Sequence, residues 1–180
     1  DARMQGKNIS FRTQQGVNIG KNLIVQTDND IVIAGTTLEV KGDAVLNAGG
    51  SVNILTQSNA FYNTWFRNDN DRLTEFMKRN NMGESSQINV KGNCFVEANY
   101  NILNLGGNIN VEKSGFFKAG KNLNNIVGEI KGENIFVETD NDIINRAVIN
   151  GGDKVSLITG KNLNNIVGEI KGENVFIQAD

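Results

Sequence analysis

Proline and histidine are both absent from the 180 residues, and cysteine occurs once, at Cys94. Without proline, nearly every backbone N–H can donate to a strand ladder, which favours a chain built from paired strands. Without histidine, neither a histidine general base nor a Ser–His pair can operate. A single cysteine excludes an internal disulfide, and the sequence has no run of about eighteen apolar residues that would predict a transmembrane helix.

Asparagine and glycine are abundant instead, with 30 and 20 copies, and both tolerate tight turns and left-handed backbone. The net charge of −2 gives no reason to expect a nucleic acid or an anionic membrane as a partner. Neither the phosphate-binding pattern G-x-x-x-x-G-K-[ST] nor the calcium-binding pattern G-G-x-G-x-D is present. We therefore expect no cofactor and no metal site.

One segment, GKNLNNIVGEIKGEN, occurs twice without change, at residues 120–134 and 160–174. A unit in the same register lies between the two copies, at residues 140–159, and related units extend upstream to Asp28. The underlying period is therefore about twenty residues, which indicates a solenoid. Because equivalent residues of a solenoid stack on one another, a favourable turn can be repeated unchanged without a clash.

Short alternating runs of apolar and polar residues mark the strands within each unit, for example at residues 38–40, 88–90, 109–111 and 155–157. Such runs predict strands of three to five residues separated by Gly/Asn turns. Helical repeats would need apolar residues at 3.6-residue spacing, and leucine-rich repeats would need a dense leucine pattern; neither appears. The sequence therefore predicts an all-β fold, a parallel β-helix with rungs of about 20 residues stacked about 4.8 Å apart.

Aligning the units predicts columns of equivalent side chains. The column that contains Leu123 is apolar in every unit and is expected to point inward. Two positions later, and therefore also inward, the column contains Asn104, Asn125, Asn145 and Asn165. We predict a structural ladder in which each amide bonds to the next rung, because a buried amide without a partner costs about 1–3 kcal/mol. A site for a polar ligand is the alternative for this column.

A second notable column is aromatic. Its inward neighbour, the column of Cys94, is small or apolar, so this thiol is expected to be a core residue. The aromatic column, here called the Phe column, consists of Val45, Phe95, Phe116, Phe136, Ser156 and Phe176. Strand alternation places it outward, where a contiguous aromatic stripe needs an explanation; a turn that rotates the rings inward is the alternative. Phe136 and Phe176 are candidate residues for partner binding or fibre packing.

Residues 57–86 interrupt the repeat. Apolar residues at helical spacing, with acids at the start and bases at the end of NDNDRLTEFMKR, predict a partly helical insertion. A loop on a rigid scaffold is a usual place for a binding site, and the insertion supplies four candidate partner-binding aromatics: Phe61, Tyr62, Trp65 and Phe66. The alternative is that its aromatics pack on the rod. In that case we predict that the insertion covers the Phe column as far as Phe116.

Many β-helices cleave polysaccharides with acids that cluster on one outer face, so this activity is an alternative. Here Glu129 and Glu169 recur beside Lys131 and Lys171, a pattern typical of a charge-balanced solvated surface. We therefore assign no catalytic residue and expect no enzymatic activity.

Several segments resemble a known family. LNNIVGEIKGENIFVE resembles the L-x-N-x-x-G-x-I repeat of filamentous haemagglutinins, and NDIVIAGTTLEVKGDAVLNAGGSVNIL is similar to their second repeat type. The resemblance covers nearly the whole chain outside residues 57–86. It implies a right-handed parallel β-helix in an exoprotein of Gram-negative bacteria, exported through an outer-membrane two-partner secretion transporter.

The resemblance also implies a role. The chain would be a rigid shaft of a secreted or surface-displayed adhesin, with a cell-surface receptor as a candidate partner; a contact-dependent inhibition effector that delivers a toxin domain is the alternative. We expect residues 1–180 to be a shaft fragment, because Asp180 occupies the position of Asp140 and would begin another rung. Unpaired strands at the ends would favour self-association, end to end or side by side.

Overall fold

The computed structural model describes residues 1–13, 15–56 and 85–180. They form a parallel β-solenoid of about 7 turns with rungs of about 21 residues, which confirms the predicted fold class. No helix occurs in these described ranges. The helical part of the predicted insertion lies outside them, as do its four candidate aromatics, Phe61, Tyr62, Trp65 and Phe66.

Most turns contribute three short strands, and each strand pairs in parallel with its equivalents in the adjacent turns. The first sheet contains β1 (Ala2–Gly6), β4 (Leu23–Thr27), β7 (Ala44–Ala48), β10 (Cys94–Ala98), β13 (Ser114–Ala119) and β18 (Asn174–Ala179). The second contains β2 (Ile9–Phe11), β5 (Ile31–Ala34), β8 (Val52–Leu55), β11 (Ile102–Leu105) and β16 (Leu163–Asn165). The third contains β3 (Val17–Ile19), β6 (Thr37–Val40), β9 (Gln87–Val90), β12 (Asn108–Val111) and β17 (Glu169–Lys171).

Two turns are continuous strands that bend through all three sheets, β14 (Leu123–Thr139) and β15 (Ile143–Thr159). Their pairing shifts register after Ile126 and after Gly132, at the two corners that each strand passes. A shift of this kind accommodates one extra residue without breaking the ladder. The rungs therefore stay aligned although their corners differ in length.

The core lies inside the rungs, where the three sheets face one another. Side chains alternate between buried and less buried along each strand, as in β7, where Ala44, Leu46 and Ala48 are inside. Full burial of a Leu, Ile or Val side chain stabilises the fold by about 1.5–3 kcal/mol. In the core, small residues leave room for large ones. A Cβ on Gly115, for example, would lie only 2.9 Å from the buried ring of Phe117. This contact explains why glycine precedes the two phenylalanines of this strand.

The insertion leaves the register of the rod intact. Without residues 57–85, the spacing from Ala44 to Cys94 would be 21 residues, the same as from Cys94 to Gly115. Ser86, which was predicted to lie inside the insertion, belongs to the rung instead. Its side chain is buried and its hydroxyl donates to the carbonyl oxygens of Ile33 and Leu55. The predicted boundary is therefore one residue too long, because the rung needs an equivalent of Thr36 at this corner.

The insertion departs at the corner between the second and third sheets, after Thr56 and before Ser86. In a turn of three strands, this is the corner that does not border the first sheet. The Phe column lies on the outer side of the first sheet. The predicted covering of the Phe column by the insertion concerns residues outside the described ranges and stays a prediction.

Candidate functional surfaces

The inward asparagine column forms a continuous chain of hydrogen bonds along the stack. Asn104 Nδ2 donates to Asn125 Oδ1 at 2.8 Å, Asn125 Nδ2 to Asn145 Oδ1 at 2.9 Å, and Asn145 Nδ2 to Asn165 Oδ1 at 2.8 Å. The first three side chains are fully buried, so each amide replaces its lost water with the amide of the next rung. The column is therefore an internal structural ladder.

The same amides also hold the corner that follows each of these strands. Asn104 Nδ2 donates to the Gly107 carbonyl and Asn104 Oδ1 accepts from the Gly107 N–H, while Asn165 Nδ2 donates to the Gly168 carbonyl. A Cβ on Gly168 would lie 2.6 Å from Asn165 Oδ1, and one on Gly128 would lie 2.6 Å from Asn104 Nδ2. At these two corners the spacing N-x-x-G thus has a steric cause, because a Cβ would collide with the neighbouring amide. The corner after Asn145 is one residue shorter and has Ala147 at the equivalent position, whose carbonyl accepts from Asn145 Nδ2.

Asparagine and aspartate side chains also bridge successive rungs at the other two corners. Between the first and second sheets, the Ser51 N–H donates to Asp30 Oδ1 at 2.7 Å and the Asn122 N–H to Asn101 Oδ1 at 3.2 Å. Between the third and first sheets, the Asn93 N–H donates to Asp43 Oδ1 at 2.7 Å. These bonds satisfy backbone donors where the chain leaves strand geometry. They account for much of the asparagine content.

The Phe column is outward, as strand alternation predicts. Phe95 stacks on Phe116 with ring centroids 4.8 Å apart and an interplanar angle of 3°, and Phe116 stacks on Phe136 at 4.9 Å and 7°. Phe95 is 41% exposed, while Phe116 and Phe136 are partly buried by their neighbours. Phe176 is 49% exposed but lies beyond Ser156, which interrupts the stack. The two candidate residues Phe136 and Phe176 therefore share the column without touching each other.

A second outward column, here called the charged column, runs beside the Phe column. It contains Gln5, Gln26, Asn47, Glu97, Lys118, Glu138, Ile158 and Gln178. Lys118 Nζ lies 3.1 Å from Glu138 Oε1, and this hydrogen bond, with the carboxylate charge, raises the pKa of Lys118. Between the two columns runs an open groove of about 390 Å³. Its walls combine aromatic faces with alternating charge.

This combination of parallel stacking, an internal asparagine ladder and N-x-x-G corners agrees with the comparison to known families, in which a family model described as hemagglutinin repeat matches residues 4–167. The chain belongs to the hemagglutinin repeat family. No match was found among curated proteins or among solved structures.

Membership of the hemagglutinin repeat family, together with the β-solenoid fold, supports an adhesin-type shaft segment. The family consists of structural and adhesin proteins, typically extracellular or surface exoproteins in a two-partner secretion context. Within the described ranges, the structure contains no helix that is long and apolar enough to cross a membrane.

In this hemagglutinin repeat chain, the side chains that could bind a metal ion or take part in catalysis are dispersed. Within residues 1–13, 15–56 and 85–180, no three His, Cys, Asp or Glu side chains are grouped to hold a metal ion. Glu169 and Lys171 pair at 2.8 Å on the outer side of the third sheet, with both side chains about half exposed. Cys94 is fully buried, and burial raises the pKa of its thiol to about 12. A thiol in this state packs as a small apolar residue.

Sequence reasoning missed one feature of the repeated segment. Val127 and Val167 have φ angles of 58° and 59°, in the left-handed region, which is strongly unfavourable for a β-branched residue. The equivalent corners of earlier rungs use Gly35 and Gly106, with φ of 56° and 74°. The aligned repeats of this chain contain a signal for this feature. Val127 stands where the preceding repeat has Gly106, directly before the glycine of the N-x-x-G pattern.

Proposed function

We propose that this chain is a rigid extracellular shaft segment of a large secreted or surface-displayed adhesin, and that its insertion, residues 57–85, is presented for binding. The proposal goes beyond the family, which supports the shaft alone. It assigns the four aromatics Phe61, Tyr62, Trp65 and Phe66 to contact with a receptor on another cell.

The observation that carries the proposal is the unbroken register on both sides of the insertion. Val52 pairs with Ile102 in the second sheet, and Leu38 pairs with Ile88 in the third. Ser86 closes the corner with hydrogen bonds inside the core. A scaffold that accepts extra residues at one corner without losing a rung is suited to carrying a variable loop.

The fold also supports export through a two-partner secretion transporter. In a solenoid each repeat contacts only its neighbours, so folding propagates from one rung to the next. Pairing partners such as Leu123 and Ile143 are close in sequence. We propose that the shaft folds progressively as the chain emerges, with the transporter engaging a region elsewhere in the parent protein.

The binding role is tested by adhesion of protein-coated beads to epithelial cells and to Gram-negative bacterial cells. We compare the parent chain, a variant lacking residues 57–85, and a variant with Phe61, Tyr62, Trp65 and Phe66 replaced by alanine. Adhesion should fall to the level of uncoated beads in both variants, while their melting temperatures stay close to that of the parent. Undiminished adhesion in both variants would assign the insertion a role other than binding.

A further inference from the structure

The outer side of the first sheet carries two features that occur together nowhere else on the described surface. The Phe column supplies three aromatic rings in continuous contact, Phe95, Phe116 and Phe136. An exposed apolar stripe rimmed by polar groups marks an interaction site. Beside it, the charged column alternates in sign over the same three rungs, with Glu97, Lys118 and Glu138.

This alternation favours placing a second copy antiparallel against the same face. Consider a two-fold axis that lies in the contact plane, parallel to the strands, midway between the rungs of Phe95 and Phe116. It makes the two rods antiparallel and brings Glu97 of each copy opposite Lys118 of the other. A parallel arrangement at equal height would instead oppose Glu97 to Glu97 and Lys118 to Lys118.

The same operation matches the neighbouring positions. In the Phe column, Phe95 meets Phe116 and Val45 meets Phe136 across the axis; in the charged column, Asn47 meets Glu138. Each contact occurs twice, as an isologous interface requires. The ion pair of Lys118 with Glu138 within one chain does not oppose this, because both side chains are more than half exposed and an ion pair on the surface contributes little to stability.

An axis between the rungs of Phe116 and Phe136 would also pair Lys118 with Glu138, but it would oppose Glu97 to Ile158 and Phe95 to Ser156. The neighbouring residues therefore favour an axis one rung earlier.

We propose that two copies of this chain associate side by side and antiparallel through the Phe column, with Glu97 and Lys118 paired across the interface. The outer face of the first sheet is about 16 Å wide, which is the length of a strand of five residues. It is about 34 Å long, which is the height of seven stacked turns. This face is smaller than the roughly 800 Å² per partner of a standard stable interface. The association is therefore weak and reversible, and it strengthens where many copies are held close together at a surface.

The test is sedimentation velocity of the full chain over a range of concentrations, with three substitutions. Phe116→Ser removes the central ring, and Ser156 shows that the column accepts serine. Glu97→Lys and Lys118→Glu each place two like-charged pairs across the interface. Each of the three substitutions should weaken association at least tenfold, while circular dichroism and melting temperature stay like those of the parent chain.

The decisive sample is an equimolar mixture of the Glu97→Lys and Lys118→Glu variants. In a mixed dimer, one copy carries lysine at both positions and the other carries glutamate at both. Every pair across the interface then joins opposite charges, so association should return in the mixture. A structural effect within one chain would not be repaired by mixing. Lys131→Glu, an exposed charge reversal on the third sheet, is the matched control and should change nothing.

Three results would overturn the proposal. One is a parent chain that sediments as a monomer at every concentration, whether because nothing binds the Phe column or because another segment covers it. A second is association that survives Phe116→Ser, which would place the contact elsewhere, for example at the strand edges. The third is a mixture of charge variants that stays monomeric, which would exclude the antiparallel pairing.

Discussion

At the scale of single residues, asparagine performs two different tasks in this solenoid. Inside, Asn125 bonds both to the amide of the next rung and to a corner carbonyl, that of Val148. At the surface corners, side chains such as Asn101 and Asp43 accept from the backbone of the following rung. Both tasks need a short side chain whose amide or carboxylate oxygen lies at a fixed distance from the next rung. This explains why asparagine recurs with the period of the repeat.

Asn145→Ala should destabilise the fold clearly. It removes the acceptor of Asn125 and the donor to Asn165, and it leaves buried polar atoms without partners. The expected loss is about 1–3 kcal/mol, the usual cost of such groups, measured as the change in free energy of unfolding in urea. Asn150→Ala, on the outer side of the third sheet in the same strand, is the control and should lose much less. Equal losses in both variants would contradict a structural ladder.

Val127→Gly should stabilise the fold despite removing a side chain. Relief of the left-handed strain gives roughly 1–2 kcal/mol, of which the greater flexibility of unfolded glycine cancels about 0.5–1 kcal/mol. Val127→Ala keeps a Cβ at a φ of 58° and should stabilise the protein less than the glycine substitution. Thermal unfolding of the two variants measures the difference. A Val127→Gly variant less stable than the alanine variant would show that the left-handed strain of a Cβ at this corner is smaller than the entropic cost of glycine.

Cys94 should react with iodoacetamide only after the chain unfolds. The thiolate is the reactive form, and burial raises the pKa of this thiol to about 12. At pH 8 the native protein should therefore remain unlabelled by mass spectrometry, whereas the protein in urea should be labelled completely. Rapid labelling of the native chain would contradict the buried position.

At the scale of strands and corners, the sequence was informative because each strand is short and strictly alternating. Placing the repeats in register gave the column partners correctly, for example Phe116 with Phe136 and Asn125 with Asn145. Strand alternation also gave the correct side of the sheet for each column. Corner geometry was harder to predict, because it depends on backbone torsion. The left-handed backbone of Val127 and the core hydrogen bonds of Ser86 have little effect on the pattern of alternating apolar and polar residues, so that pattern does not predict them.

Deleting residues 57–85 should leave the rod folded, since it restores the 21-residue spacing between Ala44 and Cys94. The alternative to the binding role is that the insertion packs on the rod and covers the Phe column. In that case the deletion variant should bind more of a hydrophobic dye and should aggregate more readily. Dye fluorescence and light scattering measure both effects, and Ser86 is kept so that the corner can close. A variant as soluble and dye-silent as the parent would mean that the insertion does not cover the column.

At the scale of the whole molecule, the structure is a stack in which every rung repeats the same three-strand turn. Core residues such as Leu38, Leu46 and Val52 come from all three sheets, so the three sheets pack around one shared core. Stability is then approximately a sum over rungs and their interfaces. A rod of this kind holds what it carries at a defined distance, which is the property that a shaft requires.

The stack itself can be measured with pairs of spin labels along the charged column, in a Cys94→Ala background that the neighbouring Ala44 makes compatible with the core. Labels at Asn47 and Ile158 are four rungs apart, and labels at Gln26 and Ile158 are five rungs apart. At about 4.8 Å per rung, double electron–electron resonance should give separations of roughly 19 Å and roughly 24 Å, each with a narrow distribution. Broad distributions, or two separations that do not differ by about one rung, would contradict a rigid parallel β-solenoid.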